Sequence, residues 1–110
     1  MKSITINYEG KQFKVEFTRE AVKSFENMGY SLGDLSQKVY TVRAPLLFCG
    51  LKPNHPTITL KKAEDIYNSL NHRDAFMEKL VEMIVDTYTD LTGENAEGNA
   101  AWEANWSDEQ

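Results

Sequence analysis

The sequence has one cysteine, Cys49, only 3 prolines and 6 glycines, and no apolar run approaching the roughly 18 residues of a membrane-spanning helix. A single cysteine excludes an intramolecular disulfide and a multi-cysteine zinc site. Flanked by Leu47, Phe48 and Leu51, Cys49 reads as a small buried hydrophobe of a reducing compartment, without the base or electropositive pocket a nucleophile needs. The N-terminal MKSITINYEG lacks the apolar core of a signal peptide, so a cytoplasmic protein is expected. No GxGxxG, P-loop, HExxH, EF-hand loop or GxSxG occurs. Neither His55, in a proline loop, nor His72, opening a helix, has a Cys, His or carboxylate at metal-site spacing, and both read as solvated. These absences predict a protein that is not an enzyme and carries no cofactor or metal.

Charge is unevenly spread. All 12 basic residues and 12 of the 17 acidic ones fall within residues 1–92, which therefore sum to zero. Residues 93–110 hold Glu94, Glu97, Glu103, Asp108 and Glu109 and no basic residue, so they carry the whole net charge of -5. An evenly charged body with an acidic end argues against binding to nucleic acid or to an anionic membrane, both of which need clustered Lys and Arg. The end also lacks any aliphatic side chain larger than Ala, so burial there cannot repay the entropy of ordering, and a flexible tail is expected. With 41% hydrophobic and 26% charged residues overall, the remaining 1–92 suffices for one small globular domain.

Residues 3–8 and 12–17 alternate apolar and polar, with Ile4, Ile6, Tyr8 and then Phe13, Val15, Phe17 on single faces. Glu9-Gly10-Lys11 between them predicts a hairpin turn. Thr18 caps a first helix over about Arg19–Met28, in which Ala21, Val22, Phe25 and Met28 recur at helical spacing before Gly29. From Ser36 a cap-then-helix reading follows, with Val39, Val42, Leu46, Leu47 and Gly50 on one face and Pro45 kinking it or opening a second segment. Lys52-Pro53-Asn54-His55-Pro56 ends it. Thr57 or Thr59 caps a third helix over about Leu60–Leu70. With Asn71 as cap, a fourth runs from about His72 to Leu91, carrying Phe76, Met77, Leu80, Val81, Ile84, Tyr88 and Leu91 on one face. On its opposite face Glu78, Glu82 and Asp86 read as a solvated surface rather than a metal ridge. The expected fold class is α+β: an N-terminal β-hairpin followed by about four helices, mainly α-helical, with a flexible acidic tail.

Trp102 and Trp106 stand four apart in WEANW, inside the stretch otherwise least able to fold. Each indole buries roughly 150–250 Å2 when docked, and one helical turn puts both on one face. That pair suits a groove, on a partner or on the chain's own body.

The hairpin, FTREAVKSFENMGYSL, the apolar LLFCGL followed by NHP, the long amphipathic helix and WEANW in an acidic tail occur together in this order, from about Ile4 to Trp106. In this the chain resembles the small tail assembly chaperones of long-tailed bacteriophages and prophages of Gram-positive bacteria. The resemblance implies a non-enzymatic protein that binds the long, helical, hydrophobic tape measure protein, keeps it soluble and helps tail tube subunits assemble around it. Family members often make a second, longer form by ribosomal frameshifting. The family offers no catalytic residues to carry over, and self-association is common among assembly chaperones. Phe48, Leu51, Trp102 and Trp106, aromatic or apolar residues outside the best core stripe, are the expected protein-binding or self-association contacts. The rival expectation is an adaptor or regulator that uses its aromatic, acidic tail to bind another protein.

Overall fold

The computed structural model describes residues 3–92. The tail expected over 93–110, including Trp102 and Trp106, lies outside the described residues. The chain opens with a two-stranded antiparallel sheet, β1 (Ile4–Tyr8) and β2 (Lys11–Val15), with Tyr8 opposite Lys11 and Ile4 opposite Val15. The two turn residues Glu9 and Gly10 both have positive φ, 52° and 80°, the conformation that matches the twist of a two-residue hairpin. Ile6, Val15 and Phe17 turn their side chains into the core.

Five helices follow: α1 (Arg19–Asn27), α2 (Asp34–Gln37), α3 (Val39–Leu51), α4 (Leu60–Ser69) and α5 (Arg73–Thr92). Thr18 Oγ1 accepts the Ala21 N–H at 3.2 Å and starts α1, and Gly29, with φ 94°, turns the chain out of it. Thr59 is the cap of α4, accepting the Lys62 N–H at 3.1 Å.

The middle of the chain differs from the sequence expectation. Ser36 sits inside the single-turn α2 instead of capping the next helix, and the break falls at Lys38, with φ -122° and ψ 52°. α3 then continues through Pro45 as one helix. Pro45 has no N–H to donate to Thr41, and this loss is offset by burial of Pro45 together with Val42, Leu46, Leu47, Cys49, Gly50 and Leu51. A helix apolar on nearly every side belongs in the centre, and α3 packs against β2, α1, α4 and α5. It fits tightly at Gly50, where an added Cβ would lie 2.7 Å from Val15 Cγ1 and 2.9 Å from Phe17 Cζ.

At the start of α5 the carbonyl of His72, not of Asn71, accepts the first helical bond, from Phe76 N–H at 3.0 Å. His72 takes the cap position with a φ of 54°. Met77, Leu80, Met83 and Ile84 bury their side chains, with Phe76, Val81 and Tyr88 packed at the margin. Met83 was not on the expected stripe; the side chain of Leu91, which was, is outside the description. Near its far end Thr87 Oγ1 donates to the carbonyl of Phe17 at 2.7 Å, tying α5 to the start of the α1 segment. Among the described residues no helix is long and apolar enough to cross a membrane.

Candidate binding groove

α2 and the first turns of α3 lie alongside the first half of α5 and leave a groove of about 520 Å3 between them. Val42 and Met77 form its buried floor, Leu35 and Val81 its half-buried walls. Val39, 39% exposed, and Tyr40, 84% exposed, stand at the rim. Lys38, at the cap position of α3, has no side-chain hydrogen bond to the helix, and the first turn holds no acidic residue. The groove therefore abuts a helix N-terminus with no side-chain cap, and beside its apolar floor it is lined by the charged Arg43, Asp74 and Glu78.

Arg43 closes one side. Its Nη1 donates to Tyr67 Oη at 2.7 Å and its Nη2 pairs with Asp74 Oδ1 at 3.0 Å, joining α3 to α4 and α5, while its guanidinium stacks 4.8 Å from the Tyr40 ring. Burial works against the Arg43 charge, but the Tyr67 and Asp74 contacts outweigh it and raise the pKa. The buried Nε has no partner among the described residues. Across the Tyr40–Arg43 ridge a second, more polar depression of about 440 Å3 is lined by Ala44, Glu64, Tyr67, Asn68 and Arg73.

The residues nominated from sequence do not gather here. Leu51 is fully buried in the core, which corrects its expected role as a surface contact: at the end of a helix enclosed on nearly all sides it has no free face. Phe48 is half-buried away from the groove, with the Lys52 ammonium 5.2 Å from its ring. Trp102 and Trp106 lie outside the described residues. Tyr40, Leu35 and Val81, which do line the groove, were missed as site residues. Only Tyr40 left a signal in the sequence, an aromatic one position off the stripe that begins at Val39.

His55 also departs from expectation. It is half-buried rather than free on the surface: its Nε2 accepts the Lys14 N–H at 3.0 Å and its ring lies 5.0 Å from Phe13. Cys49 is buried as read, its Sγ 3.7 Å from Met28 Sδ, and burial pushes its thiol up to about 12. On the outer face of α5 Lys79 pairs with Glu82 at 3.4 Å. Among the described residues no cluster of His, Cys, Asp and Glu is arranged to hold a metal ion.

Hairpin, buried central helix and helix-lined groove define a small α+β protein with a surface trough. The chain belongs to the family described as a domain of unknown function, DUF5055, whose model matches residues 1–106. No curated protein and no solved structure matches it.

Proposed function

We propose that this protein is a phage tail assembly chaperone that binds and solubilises the tape measure protein in the host cytoplasm during tail morphogenesis, releasing it as tail tube subunits assemble. The observation that carries the reading is the groove between α3 and α5, whose apolar floor and exposed Tyr40 suit the apolar face of an amphipathic helix. A tape measure protein is long, helical and hydrophobic and presents many such faces. The resemblance running from the hairpin to WEANW supports the same reading. Trp102 and Trp106 add a second contact on this proposal, clasping the bound helix from the acidic tail.

The test is co-expression of residues 1–110 with overlapping tape measure segments, reading soluble recovery and co-purification. The Tyr40→Ala variant is expected to weaken capture by about tenfold or more, as loss of an exposed aromatic anchor does. Its folding stability should change by no more than about 0.5 kcal/mol, because the ring is largely in solvent. A chain ended after Thr92 separates the body's share from the tail's. Failure to rescue any segment, with another protein captured through the tail instead, would leave the adaptor reading standing.

A further inference from the structure

The hairpin treats its two outer edges differently. Tyr8 and Lys11 flank a two-residue turn and so exchange ladder bonds, and the alternation of an antiparallel pair makes Ile6↔Phe13 and Ile4↔Val15 bonded pairs as well. The N–H and C=O groups of Thr5 and Asn7 on β1, and of Gln12 and Lys14 on β2, then point away from the hairpin. The β2 edge is covered: Lys14 N–H donates to His55 Nε2 at 3.0 Å, and just beyond the strand Glu16 N–H donates to the Gly50 carbonyl at 2.9 Å. On the β1 edge no described residue bonds the backbone of Thr5 or Asn7, and both residues are exposed.

β1 also lacks the features that keep a bare edge single. Ile-Thr-Ile-Asn-Tyr contains no charge and no proline, and the register with β2 runs without a bulge. The two-stranded sheet rests its apolar face on the helices and leaves β1 as an outer strand to which a further strand can be added.

We propose that β1 is a self-pairing edge, to which a second copy of this chain adds its own β1 in antiparallel orientation about a twofold axis at Ile6. The strand is complementary to itself in that register. Thr5 meets Asn7 of the second copy and exchanges both backbone bonds with it. Ile6 meets Ile6, and Ile4 meets Tyr8, so the apolar faces of the two sheets join into one surface in the strand order β2-β1-β1-β2. Shifting the pairing by two residues in either direction would set Tyr8 against Lys2 or Thr5 against Glu9, so the centred register is the one that matches apolar with apolar along the whole strand. No charge lies on the strand to repel its own copy, which commits the edge to a neutral strand such as itself. The contact is isologous and closes as a dimer. It involves no residue that lines the groove, and it stands or falls separately from the chaperone reading.

Two measurements on the full chain test it. Sedimentation should show a dimer that dissociates on dilution, and Thr5→Pro should remain monomeric with unchanged far-ultraviolet circular dichroism. Proline is tolerated there because the Thr5 N–H points outward and is not used in the hairpin. Hydrogen exchange on the unmutated chain gives an answer that does not depend on the variant's folding. The Thr5 and Asn7 amides should exchange about tenfold or more slowly in concentrated than in dilute samples, while Ile6 and Tyr8 stay protected throughout. Three results overturn the proposal: a monomer at all concentrations, a dimer that persists in folded Thr5→Pro, or Thr5 and Asn7 amides protected even in the dilute monomer. The last would mean that another segment of the same chain covers the edge.

Discussion

Two side chains of the described residues, Cys49 and Tyr88, contribute to the response of this protein to alkali. The Cys49 thiol is held up at about 12 chiefly by burial, which the nearby Lys52 charge only partly opposes. Tyr88 is also pushed up to about 12, first by burial and then by the hydrogen bond to Glu26 Oε2 at 3.1 Å. Both are neutral acids whose folded values exceed the ordinary 9.0 and 10.0, so as pH rises the unfolded chain loses these protons first. Stability from these groups is therefore fully present below about pH 8 and declines between about pH 9 and 12. Urea midpoints across this range should fall steadily, and Cys49→Ala should flatten part of the slope whatever it does to the absolute stability. A midpoint independent of pH up to 11 would show that the thiol is not shielded. The same shielding makes Cys49 unreactive toward thiol reagents in the folded chain.

Among the elements, α3 carries the architecture. Its apolar residues surround the helix axis, so it needs neighbours on nearly every side, and β2, α1, α4 and α5 supply them. One of these contacts requires Gly50, because a methyl group there would press on Val15 Cγ1 at 2.7 Å and on the Phe17 ring at 2.9 Å. Both neighbours are themselves fully enclosed and have little room to move. Gly50→Ala is expected to destabilise the fold by about 1–3 kcal/mol through overpacking, despite alanine's better helix propensity. Chemical denaturation measures it; a stabilised variant would mean that α3 and β2 can separate without loss.

At the scale of the whole molecule, the buried core among the described residues runs from Ile6 to Ile84. A chain ended after Thr92 should keep its cooperative unfolding transition, since it loses none of those side chains. Its charge changes from -5 to zero, because the 12 basic and 12 acidic residues of the body cancel. Its solubility minimum is therefore expected near neutral pH, whereas the full chain has its minimum near its isoelectric point of about 5.0. Turbidity against pH for both chains reads this directly. An unchanged minimum would mean that the tail charges are compensated by the body.

The sequence by itself determined what is local. Thr18 and Thr59 each bond an amide three residues ahead, Gly10 and Gly29 take the positive φ their turns require, and the Pro53–Pro56 segment separates α3 from α4. Those features depend on neighbours in the chain, so spacing reveals them. The charge boundary at residue 92 is likewise a matter of composition. Only the tertiary structure decided that α3 stays whole through Pro45, that Leu51 is core, and that Val39 and Tyr40 stand open beside α5. Periodicity shows which residues share a face; it does not show which faces of a largely apolar helix its neighbours leave uncovered. The cover that His55 gives to β2 joins residues 41 apart in the chain, and Thr87 reaches back 70 residues to Phe17. Contacts of that span form only when the helices pack against the hairpin, so no local spacing in the sequence reveals them.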